Sequence, residues 1–184
     1  MVKRLHNWLK DNRGIAAIEF ALAAPLLVTL LLGSVDILRL MLLHQKVEKV
    51  AYTMADLVTQ GEQITAGDMA EYYMAPAELM DPFTFAENGR VIITSVYRGD
   101  EDAVGKVRWR SEGGGTLVRT SEIGEINADA TLPGGLTLNT RDNVIVAEVF
   151  YQFTQMFPVD FLNTDEIYKV AVFKPRLGSL LTAP

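Results

Sequence analysis

The side chains that commonly carry catalysis or bind metals are scarce in this sequence. The 184 residues include no cysteine and only two histidines, His6 and His44. A chain without cysteine has no disulfide framework, no thiolate metal site and no cysteine nucleophile. Both histidines lie in the first quarter of the chain, which argues against a histidine-based triad or a multi-histidine metal site in the remainder. We therefore predict that the protein is not an enzyme and uses no cofactor or metal.

Glu19 is the residue whose position most needs a chemical explanation. Residues 20–35 carry no charge, and extending the apolar run back to residue 15 adds this one carboxylate. An ionised carboxylate in an apolar phase costs a few kcal/mol on membrane-insertion scales. Two arrangements remain open. A cation on a neighbouring subunit pairs with Glu19, in particular an amino terminus freed by a cut after Gly14, or headgroups and water solvate Glu19 at the cytoplasmic interface.

The apolar run around Glu19 has the length of a membrane span. Residues 15–35 form a helix of about 31 Å at 1.5 Å per residue, which matches the thickness of the hydrocarbon core. Pro25 lacks an N–H and loosens the helix locally, as membrane helices tolerate. Gly33 and Ser34 leave a patch of small residues where another helix can approach closely. We predict a single transmembrane segment over about residues 15–35.

The charge distribution predicts how this segment is oriented. Residues 1–14 hold four cations and one anion, a net charge of +3, whereas the whole chain has a net charge of −6. Basic flanks remain in the cytoplasm, so the residues after the span lie on the other side of the membrane. The acidic remainder argues against binding to nucleic acid. An ordinary cleaved secretory signal is disfavoured, because the apolar run is long and no small-x-small site follows it.

The stretch from Gly14 through Glu19 and Phe20 to Pro25 resembles a known type of signal. It is similar to the class III signal of type IV prepilins, in which a short basic leader ends in glycine and a glutamate occupies the fifth position after the cut. More closely, it resembles TadE-like pseudopilins of the tight-adherence (Flp) pilus system. Residues 144–157 resemble the late strand of the same family more loosely.

The resemblance implies a role and a set of partners. It implies cleavage between Gly14 and Ile15 by a membrane prepilin peptidase, and a minor-pilin role among other pilins, pseudopilins and the pilus assembly platform. It implies that Glu19, followed by Phe20, sets subunit register by pairing with a neighbour's amino terminus. The implied location is the bacterial inner membrane, with a periplasmic C-terminal domain. The alternative is an unprocessed, membrane-tethered periplasmic binding or sensor domain, which has no use for Gly14 or Glu19.

The rest of the chain predicts the elements that position this segment. From residue 36 the helix becomes amphipathic, with an apolar stripe over residues 47–58 and with Asp36 and Arg39 as a local ion pair that faces water. The simplest partner for the stripe is the domain's own sheet. Short helical turns follow over residues 68–80 and break near Pro76, and residues 113–115 read as a flexible glycine loop. Strands are predicted at residues 91–97, 106–110, 143–154 and 167–173.

These patterns predict an α+β fold, in which a long N-terminal helix packs on an antiparallel sheet as in pilins. The predicted organisation has three parts: a cleaved cytoplasmic leader over residues 1–14, the N-terminal helix over residues 15–60, and an exported globular domain over residues 61–184.

Overall fold

The computed structural model describes residues 14–156 and 166–184. The predicted basic leader therefore lies outside the described residues, except for Gly14. The first element, α1, is one α-helix over Ile15–Gln60, and it ends immediately before Gly61. At 1.5 Å per residue its 46 residues extend about 69 Å. The predicted long helix is confirmed, and it continues without a break through Pro25.

Residue contacts divide the chain into two compact units. Of the described residues, one unit comprises residues 14–39 with 155–156, and the other comprises residues 40–154 with 166–184. The second unit contains the C-terminal part of α1 and all of the remaining helices and strands. Its short helices are α2 (Ala66–Tyr72), α3 (Ala75–Met80) and α4 (Phe85–Asn88). Its strands are β1 (Gly89–Tyr97), β2 (Lys106–Gly113), β3 (Asn143–Gln152) and β4 (Glu166–Phe173).

The four strands form one sheet in the order β2-β1-β3-β4, and every neighbouring pair is antiparallel. The predicted α+β class is thus confirmed. The predicted break between two short helices is also confirmed, because Pro76 stands in the first turn of α3, where its missing N–H costs no hydrogen bond. Thr65 begins α2 with a capping box, in which its side chain and that of Asp68 each accept the other's backbone N–H.

The apolar stripe of α1 packs on one face of this sheet. Its buried members recur at helical spacing and meet alternate residues of the central strands. The helix contributes Leu43, Val47, Val50, Met54 and Val58, and the sheet contributes Val91, Ile93, Ile145, Ala147 and Val149. Burying one such side chain contributes about 1.5–3 kcal/mol, so this contact is the main source of the domain's stability. The predicted partner of the stripe is confirmed.

The opposite face of the sheet is covered by the chain between β2 and β3. Ile123, Leu132 and Leu138 pack there against side chains of β1, β2 and β3. The two central strands are therefore buried on both faces, which explains why residues 91–97 are apolar at both parities. A 3-10 turn over Pro133–Gly135 lies within this covering segment.

The C-terminal tail attaches to the same body through buried polar groups. The carbonyl oxygen of Leu180 accepts hydrogen bonds from Ser95 Oγ at 2.7 Å and Trp109 Nε1 at 2.9 Å. The Leu180 N–H donates to Asn143 Oδ1 at 3.3 Å. Arg176 N–H donates to the carbonyl oxygen of Thr59 at 3.0 Å, near the end of α1. The tail thus satisfies polar groups that the core would otherwise bury without partners.

The glycine loop after β2 is closely packed, so its prediction as a flexible segment is wrong. A Cβ atom on Gly115 would overlap the carbonyl oxygen of Gly89. The next two backbone N–H groups, of Thr116 and Leu117, donate to the carbonyls of Ala86 and Gly89 at 2.8 and 3.2 Å. Glycine is needed at residue 115 because the chain passes directly against the start of β1.

This close approach predicts a position-specific effect of adding one methyl group. Gly115→Ala is expected to lower the free energy of unfolding by about 1–3 kcal/mol, because the backbone of β1 has to move. Gly67→Ala is the matched control, since its Cβ would meet only Thr65 Oγ1, at 3.6 Å, and alanine favours a helix. Urea unfolding in detergent, followed by circular dichroism, measures the free energy of unfolding of both variants and of the wild type. Equal stability of the two variants would contradict the packing described here.

Candidate functional site

The predicted cleavage position lies at the start of α1. Gly14 directly precedes the helix, is exposed, and has nothing within 4 Å of the position its Cβ would take. Ile15 is the first residue of α1 and is 48% exposed. No described residue covers the bond between Gly14 and Ile15. The geometry leaves this bond accessible, whereas its cleavage is a prediction that geometry alone does not test.

Glu19 lies one helical turn from this bond. Residues four apart occupy the same face of a helix, so Glu19 follows Ile15 on one face with a rise of about 6 Å. Glu19 is exposed and has no hydrogen-bond or ion-pair partner in the described part of the chain. Phe20, the next residue, is 68% exposed. The structure thus brings the predicted cut and the predicted register residue together, with the carboxylate available to a partner.

Pro25 and the patch of Gly33 and Ser34 lie further along α1, where Pro25 and Ser34 are exposed and Gly33 is buried. Thr29 Oγ1 donates to the carbonyl oxygen of Pro25 at 2.9 Å, and Ser34 Oγ donates to that of Leu31 at 2.7 Å. Both hydroxyls are therefore satisfied within the helix, as an apolar environment requires. A shallow groove with an apolar surface is lined by Thr29, Leu30, Gly33, Ser34 and Ile37. The predicted patch exists as a groove, and its use in helix packing stays a prediction.

Asp36 does not face water, and that prediction is wrong. The residue is only 2% exposed. Arg39 Nη1 donates to Asp36 Oδ1 at 3.2 Å, which confirms the predicted local ion pair. The backbone N–H of Met156 donates to the same oxygen at 3.1 Å. Met156 is 120 positions later in the chain, so the helical pattern around Asp36 gave no sign that this segment returns to cover it.

Glu148, in the middle of β3, is a second buried carboxylate, which the sequence reading did not single out. It is fully buried and accepts hydrogen bonds from Glu122 N–H at 2.8 Å, from Tyr168 OH at 3.0 Å and from Ser121 Oγ. Burial raises the pKa of Glu148 above the ordinary glutamate value, and these three donors oppose part of that shift. The available signal was a single charge within the otherwise apolar run of β3.

The arrangement around Glu148 connects three segments of the domain. Ser121 and Glu122 belong to the segment that covers the outer face of the sheet, and Tyr168 belongs to β4. The carboxylate therefore holds the covering segment and the edge strand to the central strand. Among the described residues, no group of three histidine, cysteine, aspartate or glutamate side chains is placed to hold a metal ion.

The raised pKa of Glu148 predicts how stability depends on pH. As pH rises from the ordinary glutamate pKa through the folded-state pKa, the unfolded chain releases this proton more readily, so Glu148 lowers stability progressively. Glu148→Gln removes this contribution, so the melting temperature of the variant minus that of the wild type should increase as pH rises above the ordinary glutamate pKa. Differential scanning calorimetry at several pH values measures this difference in melting temperature. Glu71→Gln, at an exposed glutamate, is the matched control, and the same pH trend in both variants would refute the assignment.

Comparison with known proteins supports the reading of the N-terminal segment. The family model described as "TadE-like protein" matches residues 14–56, which include Gly14, Glu19 and Pro25 and extend well into the amphipathic part of α1. No curated protein and no solved structure matches the chain. By length and composition, α1 also contains a stretch able to cross a membrane, none of it buried within the protein. Over residues 14–56, and over this part alone, the chain is therefore similar to TadE-like proteins.

Proposed function

We propose that this protein is a minor pilin, or pseudopilin, that acts as a structural component in the assembly or initiation of a tight-adherence pilus. The observation that carries the proposal is an exposed carboxylate without a partner, Glu19, one helical turn beyond an accessible bond between Gly14 and Ile15. The family match over residues 14–56 supports a pilus-associated role in general.

The proposed sequence of events begins with insertion of the precursor into the bacterial inner membrane. The basic leader stays in the cytoplasm, and the domain after α1 enters the periplasm. A prepilin peptidase then cleaves the bond between Gly14 and Ile15. Cleavage creates an α-amino group on Ile15, which is mostly protonated near neutral pH because α-amino groups have a pKa of about 7.7–8.0.

The new amino group changes the electrostatics of the helix terminus. A protonated amine adds to the positive end of the helix dipole, where a carboxylate is stabilised. Glu19 of an adjacent subunit supplies that carboxylate. At a separation of about 4 Å and an effective dielectric of about 20, such a pair gains about 4 kcal/mol of Coulomb energy. This exceeds what a solvated pair at a surface contributes, and it offsets part of the cost of removing both charges from water.

Pairing between subunits also sets an axial offset. If Ile15 of one subunit lies level with Glu19 of the next, the two helices are displaced by four residues, or about 6 Å. Phe20 is exposed on α1, and further along the same helix an adjacent helix of another pilin can pack in the groove whose exposed lining includes Leu30, Ser34 and Ile37. In this proposal the charge pair defines the register, and the groove accommodates the neighbouring helix.

Processing predicts a defined mature terminus. In cells with an active prepilin peptidase, intact-mass analysis of the purified protein should show a chain that begins at Ile15. Cells in which the peptidase is inactive should yield the full precursor, which is the control. A precursor mass in both strains would contradict the proposal and would favour the alternative, a membrane-tethered periplasmic binding or sensor domain.

The proposed register role of Glu19 predicts that its substitution affects assembly but not membrane insertion or cleavage. Glu19→Ala and the isosteric Glu19→Gln should both leave membrane insertion and cleavage intact but prevent incorporation into the assembly and abolish piliation, because both remove the charge that pairs with the neighbour's amine. Glu48→Ala is the matched control on the same helix, since the Glu48–Lys169 pair at 3.7 Å is partly exposed and contributes at most about 1 kcal/mol. Electron microscopy and co-purification measure the outcome. Normal pili in the Glu19→Gln strain would exclude the charge as the register element.

A further inference from the structure

The outward face of α1 changes from apolar to polar and charged side chains between residues 42 and 45. Leu38, Met41 and Leu42 are 66%, 58% and 43% exposed. Gln45, Glu48 and Lys49 follow at helical spacing on the same face and are also exposed. The opposite face of α1 packs on the sheet over this stretch, starting from Leu43. The change therefore lies on a helix face whose side chains are exposed, about seven residues beyond the end of the span predicted from sequence.

The exposed apolar surface of α1 is continuous up to that change. Exposed large apolar side chains recur along the helix from Ile15 to Leu42. Two windows of this surface have the length of a hydrocarbon core of about 30 Å: residues 15–35, at about 31 Å, and residues 20–42, at about 34 Å. Length does not separate the two windows, so the choice between them depends on which charged groups each would place in lipid.

The two windows differ in how well their charges are compensated. The window of residues 15–35 encloses Glu19, which is exposed and has no partner in the described part of the chain. The window of residues 20–42 encloses Asp36 and Arg39, which form an ion pair with no net charge. The Asp36 side chain is 3% exposed and also accepts the N–H of Met156. A neutral pair whose carboxylate is buried is less unfavourable in a bilayer than an exposed lone carboxylate.

The two windows also differ in what they leave in water. A boundary near Val35 places Leu38, Met41 and Leu42 in solvent as a contiguous apolar patch on the helix. A boundary at Leu42 covers this patch, and the first outward residues in water are then Gln45, Glu48 and Lys49. Burial of apolar surface and solvation of charge thus favour the same boundary.

We propose that a phospholipid bilayer covers α1 from residue 20 to residue 42, so that the outer membrane boundary lies at Leu42 and the paired Asp36 and Arg39 lie beneath it. The proposal rests on the proposed function in one respect, that α1 anchors the chain in a membrane. It places Glu19 at the inner interface in the isolated subunit, where headgroups and water solvate it until a neighbour's amine replaces them. Glu19 is then both solvated before assembly and paired after it.

The absence of cysteine from the chain permits a direct test. Single-cysteine variants Leu38→Cys, Met41→Cys and Lys49→Cys of the full chain are labelled with an environment-sensitive fluorophore and reconstituted at low protein density in vesicles of phosphatidylcholine and phosphatidylglycerol. Leu27→Cys is the control for the span itself. Lipids that carry a nitroxide high on the acyl chain quench only those probes that contact lipid.

The expected result is quenching at residues 38 and 41 that approaches the value at residue 27 and exceeds that at residue 49 several-fold. Quenching at residue 27 without quenching at residues 38 and 41 would overturn the proposed boundary and leave the anchor intact. Protection of residues 38 and 41 from aqueous quenchers without quenching by lipid nitroxides would also overturn it, since protein would then cover this face. Weak quenching at all four residues would overturn the anchor and with it the proposed function.

Discussion

The packing of the apolar stripe of α1 against the sheet is the contact on which the rest of the domain depends. Leu43, Val47, Val50, Met54 and Val58 are all fully buried there. Because helical residues three and four apart share a face, burial of this stripe fixes the rotation of α1 about its own axis. The residues that remain outside then follow from the same rotation. The outward series from Leu38 to Lys49, and hence the surface available to lipid or to another helix, is a consequence of this core contact.

Three carboxylates of the chain differ in which groups compensate their negative charge. Glu148 accepts three hydrogen bonds: two from the covering segment, one of them from a backbone N–H, and one from the edge strand β4. Asp36 is paired with Arg39 and accepts a backbone N–H from a distant part of the chain. Glu19 has neither kind of partner among the described residues and is exposed. Glu148 and Asp36 are buried and already have partners within the chain, whereas the exposed Glu19 carboxylate can bind a cation from outside the chain.

The sheet serves mainly as a scaffold that is covered on both faces. One face receives α1 and the other receives the segment between β2 and β3. The C-terminal tail adds a further connection, because Leu180 bonds to side chains of β1, β2 and β3, and Arg176 bonds to the end of α1. A body fixed in this way can hold the C-terminal part of α1 rigidly.

Local patterns were sufficient for most of the fold. The period of apolar residues in α1 indicated a long helix with one buried stripe, and β-rich apolar runs indicated the positions of the four strands. These predictions succeeded because the signals are repeated at every turn or every second residue, so that no single residue decides them. The glycine loop at residues 113–115 failed as a prediction, because the same composition suits a mobile loop and a close approach of two backbones.

For the candidate site, the sequence by itself determined which residues are out of place: a lone Glu19 in an apolar helix, five residues after Gly14, together with the match that such spacing gives to a TadE-like protein. Only the tertiary structure decided which charges already have partners. The sequence predicted that Asp36 faces water and did not identify Glu148 as buried, because hydrogen-bond donors to both carboxylates come from segments distant in sequence. Helical and strand periodicity records which face a residue occupies, but it carries no information about which remote segment returns to cover that face. That difference leaves Glu19 as an exposed carboxylate, within an apolar stretch of α1, that has no partner in the described part of the chain.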